Sequence, residues 1–348
     1  MLRIENVSKD LGEFRLKNVS LDVKNGEYMV IIGPTGAGKT ILLETVAGVY
    51  PPDSGNVLLL GNDITHQPPK DRNITMVYQD YMLFPHLTVG ENIAFGLNNR
   101  KVPKDEKEKR VSDVAELFGI DHLLHRYPET LSGGEQQRAA ISRAIILNPA
   151  VLLLDEPLSA LDGQTREKLR KELKRLHTIF GTTIIHITHN FEEVFSLADR
   201  VAVMNKGEIV QIGEPDDIFR RPESEFIAQF VGVENLFRGV CRKEGGEAYI
   251  DVNGQRIVSS TCMNGESVYA SIRPEDIFVS RETLDASARN SFQGTIVEIV
   301  DNGMFIRLTV DAGIPFVVVV TRQGYEAMSL TMGESVYLTF KAGSVHVF

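Results

Sequence analysis

Over the first 80 residues, short apolar runs alternate with turns: RIENVSK, FRLKNVSLDV, and then EYMVIIG running straight into a glycine-rich loop. The pattern predicts a strand, a loop and a helix in that order. From about Met82 to Leu147 the spacing turns mostly helical. There PKDEKEKRVSDVAELFGI sets Val111, Val114, Ala115 and Phe118 at helical spacing, and its charges read as a solvated face. AVLLLDEP and GTTIIHITH are continuous apolar strands separated by the amphipathic GQTREKLRKELKRLHTIF, the pattern of a βαβ unit in a buried parallel sheet. RVAVMNKGEIVQIG adds a further strand. In PDDIFRRPESEFIAQFVG, Pro222 is placed to start a helix and Gly232 to end one. A domain boundary near Val233 follows, dividing the chain into residues 1–232, with a helical subdomain over about 82–147, and residues 233–348.

Beyond that boundary, Val/Ile/Phe/Tyr-rich runs punctuated by glycine predict a small all-β, OB-like region. The region is internally repeated. GESVY occurs at Gly265 to Tyr269 and again at Gly333 to Tyr337, and upstream ENLFRG and RNSFQG share Asn-x-Phe-x-Gly. Arg273 in the first copy occupies the place of Lys341 in the second. The second copy is 13 residues longer between its Asn and its GESVY, 43 residues from Asn290 to Gly333 against 30 from Asn235 to Gly265.

A length of 348 residues suits two domains, and 43% hydrophobic with 24% charged residues is the balance of a globular chain, which argues against long disorder and a fibrous class. The net charge of -10, with no Lys/Arg stripe, argues against nucleic acid as a partner. MLRIENVSKD lacks the regions of a signal peptide, which predicts a cytoplasmic chain, and no apolar run approaches the roughly 18 residues of a spanning helix. Cys241 and Cys262 have no metal-ligand spacing and are expected to be reduced thiols in a β-rich core, with a disulfide the alternative that a cytoplasmic chain disfavours.

GPTGAGKT fits G-x-x-x-x-G-K-[ST] with a strand before it and a helix after it. Gly33, Pro34, Thr35, Gly36, Ala37 and Gly38 form a loop whose backbone N–H groups make an anion nest. Lys39 reaches β- and γ-phosphates, and the Thr40 hydroxyl ligates magnesium. VLLLDE supplies the acidic half of such a site: Asp155 at a strand end to hold magnesium through water, and Glu156 to polarise an attacking water as general base.

LSGGEQQR at Leu131 to Arg138, with Gln79 in VYQD, SALD at Ser159 to Asp162 and His189 in ITHN, resembles the motif set of ATP-binding-cassette (ABC) ATPase subunits over about the first 230 residues. The resemblance implies an α/β P-loop NTPase fold with a helical subdomain, and ATP with Mg2+ as cofactors. It implies that His189 contacts the γ-phosphate and that Gln79 touches magnesium and the nucleophilic water. Ser132, Gly133 and Gly134 present donors at a helix N-terminus; in the family they serve the ATP of a second subunit, with Asp162 at the seam, which implies a homodimer. The chain departs from the family at Glu135, usually glutamine, and at Leu11, where family members usually carry an aromatic that stacks on adenine; Phe14 is the nearby substitute.

SIRPEDI resembles a signature of the β domain shared by ABC import ATPases for sugars, sulfate, iron and oxyanions. SARNSFQGTIVEI and the closing GESVYLTFKAGSVHVF resemble the molybdate-binding modules of molybdate and tungstate uptake systems. The implied oxyanion segment is Ser287, Ala288, Arg289 and Asn290 with Lys341 and Ala342. A peripheral subunit on the cytoplasmic face of the membrane is implied, working with two transmembrane permease subunits and an extracytoplasmic oxyanion-binding protein, with molybdate or tungstate as cargo and regulatory ligand. Two other readings stand beside it: an import ATPase for sulfate, a sugar or iron whose C-terminal domain only dimerises, and a non-transport ABC ATPase acting on DNA or ribosomes, which the acidic charge disfavours.

Overall fold

The computed structural model describes residues 1–244, 247–261, 265, 267–283 and 289–348. The chain divides into two compact units, Met1–Pro215 and Asp216–Phe348.

The first unit opens with β1 (Leu2–Asp10), β2 (Arg15–Val23) and β3 (Tyr28–Ile32), followed by helix α1 (Lys39–Ala47). Strands β4 (Ser54–Leu59), β5 (Asn62–Asp63) and β6 (Ile74–Val77) come next. The helical stretch holds α2 (Val89–Asn99), α3 (Lys104–Leu117) and α4 (Gly133–Ile145). Then β7 (Val151–Asp155), α5 (Gly163–Phe180), β8 (Thr183–Ile187), α6 (Phe191–Leu197), β9 (Arg200–Asn205) and β10 (Glu208–Gly213) complete it. Strands β9, β3, β8, β7 and β6 lie parallel in that order, with β10 antiparallel on the β9 edge. A separate antiparallel sheet runs β2-β1-β4-β5.

Every residue of β3, β7 and β8 is buried, which explains their unbroken apolar sequences: a parallel strand covered on both faces has no wet side for polar residues. Helix α5 begins where the Asp162 carboxylate accepts the N–H groups of Gln164 and Thr165, and ends at Gly181 in the left-handed region. Between these stops it buries Leu169, Leu173 and Leu176, each contributing about 1.5–3 kcal/mol of apolar burial. Val111, Ala115 and Phe118 are buried and Val114 half-buried, as the spacing in α3 predicts.

Arg72, 1% exposed, fixes the far end of α1. Its guanidinium donates to the carbonyls of Thr45 and Val46 at 2.9 Å, Thr65 at 2.7 Å and Gln67 at 2.8 Å. A cation there satisfies the last helical carbonyls and complements the helix dipole. Gly48 is required beside it, because a Cβ would lie 2.4 Å from Arg72 Nε.

In the second unit, α7 (Pro215–Arg220) and α8 (Glu225–Phe230) lead into β11 (Asn235–Glu244), β12 (Glu247–Val252), β13 (Gln255–Ser259) and β14 (Ser267–Ile272). After β15 (Phe278–Ser280) the pattern repeats as β16 (Asn290–Asp301), β17 (Phe305–Asp311), β18 (Pro315–Thr321) and β19 (Ser335–Phe340). Helix α9 (Arg322–Met328) lies within the second copy and occupies part of its extra length, and β20 (His346–Val347) ends it. Pro222 does not start a helix. It lies between α7 and α8, and α8 begins at Glu225 because the Ser224 hydroxyl caps the N–H of Ile227.

The copies exchange their ends. Strand β15, which follows the first copy, pairs with β19 of the second, and β20, which follows the second, pairs with β14 of the first. The resulting five-stranded sheets enclose one shared core that includes Phe292, Phe316 and Phe340. Cys241 is fully buried in that core and disulfide-bonded, the alternative that the reading of a cytoplasmic chain disfavoured; Cys262 lies outside the described residues. Among the described residues no helix is long and apolar enough to cross a membrane.

Candidate functional site

The loop between β3 and α1 is shaped by glycine. Gly33 has φ of 156°, and a Cβ on it would lie 2.1 Å from the Met204 carbonyl oxygen, so no other residue fits without moving backbone. Lys39 is 9% exposed, and its ammonium donates to the carbonyls of Gly33 at 2.8 Å and Pro34 at 3.0 Å, which holds it at the loop mouth. Burial pulls the Lys39 pKa down, opposed by the charges of Glu156 and Asp155.

Strand β7 delivers both carboxylates to that mouth. Asp155 is 6% exposed; burial raises its pKa, as does Glu156, while a hydrogen bond from the Thr40 hydroxyl and the charge of Lys39 oppose the rise. Glu156 sits at φ 45°, a left-handed conformation that costs a non-glycine residue about 1–3 kcal/mol, and its N–H donates to Ile187 O at 3.0 Å. The side chain is only 23% exposed, with Oε2 3.3 Å from His189 Nδ1.

Phe14, Thr35 to Ile41, Gln79, Asp155, Glu156 and Ile187 enclose a cavity of about 380 Å³. The structure thus brings Lys39, Thr40, Gln79, Asp155 and Glu156 to one cavity. Phe14, not Leu11, is the aromatic that lines it; the ring stands over the loop, where a methyl on Gly36 would touch it at 3.9 Å. His189 borders an adjoining cavity with Ser159 and Asn190.

Ser132, Gly133, Gly134 and Asp162 do not line the 380 Å³ cavity of the same chain. Ser132 stands at the head of α4, and both its N–H, at 2.7 Å, and its hydroxyl, at 2.8 Å, donate to Glu135. These bonds, the backbone one foremost, hold the Glu135 carboxyl below its ordinary pKa. Gly134 packs so closely on α5 that a Cβ would lie 2.7 Å from Thr165 Cγ2. Arg166 reaches back to the carbonyls of Leu158 and Leu161 and fixes the turn that carries Ser159 and Asp162.

Sequence reading passed over His186. Fully buried on β8, it stands 2.9 Å from the Tyr28 hydroxyl through Nδ1 and 3.4 Å from Glu193 through Nε2. Its only sequence signal was a histidine within an otherwise apolar strand.

In the second unit Ser287 and Ala288 lie outside the described residues. Arg289 pairs with Glu247 at 3.2 Å. Asn290 is 1% exposed, and both ends of its amide are bonded to the Val258 backbone, at 2.7 and 2.9 Å. Lys341 opens the 3-10 turn Ala342–Ser344, and the Ala342 carbonyl accepts the Ser260 N–H.

A phosphate-binding loop with paired carboxylates, a histidine and an LSGGE-headed helix defines an ATP-hydrolysing cassette. The family models for the ABC transporter and for the TOBE domain match residues 16–159 and 286–347. The chain is 48% identical to the molybdate/tungstate import ATP-binding protein WtpC of Pyrococcus horikoshii, over all of both chains. It is 44% identical to the sulfate/thiosulfate import ATP-binding protein CysA of Thermosynechococcus vestitus, covering 78% of this chain and 82% of that one. Among solved structures, cbiO1 from Clostridium perfringens, part of the ABC transporter complex cbiONQ, superposes with a TM-score of 0.58 at 31% identity, covering 67% of this chain and 95% of that one. The chain belongs to the ABC transporter ATPase family, with a TOBE domain at its C-terminal end, and its activity is ATP hydrolysis coupled to transport.

Proposed function

We propose that the chain energises the import of molybdate and tungstate. The observation that carries the cargo is the full-length similarity to the Pyrococcus horikoshii protein, which includes the repeated C-terminal unit as well as the cassette. Sulfate is the second reading, favoured by the similarity to CysA.

ATP lies with its phosphates on the loop 33–38 and Lys39, and its adenine against Phe14. The Thr40 hydroxyl, hydrogen-bonded to Asp155, and Gln79 are hard oxygen donors in the lining of the same cavity, and with Asp155 they form a set that fits Mg2+. When bound, the ion neutralises charge on the β- and γ-phosphates. Glu156 takes the proton of the attacking water, with His189 beside it to meet the γ-phosphate. Ser132, Gly133, Gly134 and Asp162, which stand away from their own chain's cavity, complete the site of a second copy, so the working unit is a homodimer. Two permease subunits and an extracytoplasmic oxyanion-binding protein complete the importer, with this chain peripheral on the cytoplasmic face.

In this reading the C-terminal unit senses the imported oxyanion through the segment 287–290 with Lys341 and Ala342. Such a ligand regulates only by binding the open and closed dimers with different affinity. Among the described residues of this set, the Asn290 amide is engaged with Val258 and Arg289 pairs with Glu247, which leaves the Lys341 side chain to meet the ion. The test is ATP hydrolysis by the chain reconstituted with its permease and binding protein. Stimulation by molybdate and tungstate and not by sulfate is expected; stimulation by sulfate alone assigns the cargo of the second reading.

A further inference from the structure

We infer that the second unit carries an additional anion site, built around Arg273 in its first repeat and suited to a tetrahedral dianionic group. It goes beyond the sensing role of Lys341 and does not rest on it.

Arg273 and Lys341 hold equivalent backbone positions. Each precedes a 3-10 turn, at φ, ψ of -76°, 137° and -79°, 148°. Their surroundings differ. Arg273 faces a cavity of about 450 Å³ bordered by Arg220 and Arg221 at the end of α7, by the hydroxyl residues Thr261 and Ser271, and by Asp276. Lys341 does not border it.

Among the described residues no hydrogen bond or ion pair reaches the Arg273 guanidinium, although burial lowers its pKa. Glu275, Asp276 and Glu234 act on it only through space, and Arg220 opposes them with like charge. Arg220 and Arg221 pair with Asp216 at 4.0 Å and Asp217 at 3.6 Å along their own helix, where all four side chains are at least half exposed. Among the residues that border the cavity, three guanidinium groups accompany one carboxylate, Asp276. A partly desolvated guanidinium without an acceptor leaves its donors unsatisfied, and its planar fork matches phosphoryl and related oxyanion geometry. The cavity falls within the about 300–1,000 Å³ usual for sites of small organic molecules. The anion enters either as a free ion or as the phosphoryl group of a small metabolite.

The loop 33–38 also binds phosphates, so the experiment uses the full chain carrying Glu156→Gln and saturated with ATP. Inorganic phosphate, glycerol 3-phosphate and tungstate are titrated calorimetrically at low salt. Phosphate or glycerol phosphate is expected to bind once per chain, about tenfold or more weaker in Arg273→Ala and in Arg220→Ala and unchanged in Lys341→Ala. Tighter binding of glycerol phosphate than of phosphate identifies a metabolite as the source; equal binding identifies the free ion. Tungstate, itself a tetrahedral dianion, is expected at both sites, so Lys341→Ala and Arg273→Ala should each remove one of two tungstate-binding events. A single event lost only in Arg273→Ala overturns the sensor alone, and a single event lost only in Lys341→Ala counts against the Arg273 site. If Arg273→Ala does not fold, Arg220→Ala carries the test. Phosphate binding that survives the arginine substitutions, or no phosphate binding in any arm, overturns the Arg273 site.

Discussion

Oε2 of Glu156 lies 3.3 Å from Nδ1 of His189, joining the end of β7 to the turn after β8 across the mouth of the phosphate loop. This contact places the proposed base beside the residue proposed to meet the γ-phosphate. Glu156→Gln keeps the shape and loses the base, so ATP binding is expected to persist while hydrolysis falls about 10²-fold or more. Single-turnover hydrolysis together with nucleotide binding checks this, and near-normal turnover removes Glu156 from its role.

Glu135 ties up the Ser132 hydroxyl and brings negative charge to the surface proposed to meet a partner's γ-phosphate. Glu135→Gln weakens that charge-assisted bond, and the ATP concentration for half-maximal hydrolysis should fall about 3- to 10-fold. An unchanged or higher value in steady-state assays contradicts the assignment.

Asn235 and Asn290 are equivalent clamps in the repeat. The Asn235 amide bonds the Val317 backbone at 2.6 and 2.8 Å, and Asn290 bonds Val258, so each copy pins a strand of the other. Either Asn→Ala change strips two buried backbone partners, and the second unit should lose about 2–4 kcal/mol in denaturant unfolding. A loss under 1 kcal/mol counts against the clamp.

The buried Glu193 gives a pH dependence. Burial alone raises its pKa, but the hydrogen bond and charge of His186 outweigh it, so the folded value lies below the ordinary 4.5. A depressed carboxylate contributes stability that is present above about pH 4.5 and lost as the pH falls below it. The melting temperature of the first unit should therefore drop on acidification, and drop less in Glu193→Gln. Equal drops in both proteins refute this contribution.

Much of the ATP site was legible because it is local. The spacing from Gly33 to Thr40 sets a strand, loop and helix by itself, and Val151–Asp155 and Gly163–Phe180 carry their periods and caps within their own residues. What escaped depends on contacts distant in sequence or on a choice between neighbouring caps. Arg72 is an ordinary surface-type residue until α1 ends against it. The exchange of β15 and β20 leaves no local mark, since pairing Phe278 with Thr339 is a property of the closed repeat. Pro222 and Ser224 both mark helix starts, and the side-chain cap decided between them. The Asn290 amide could be read as a ligand donor only while Val258 was out of view.

Tungstate accumulation by cells in which Glu156→Gln replaces the native chain tests the central claim most directly. The account predicts that accumulation falls to the level of cells lacking the chain, with the variant still present in the membrane fraction and sulfate uptake intact. Accumulation at the native rate, or a loss confined to sulfate, contradicts it.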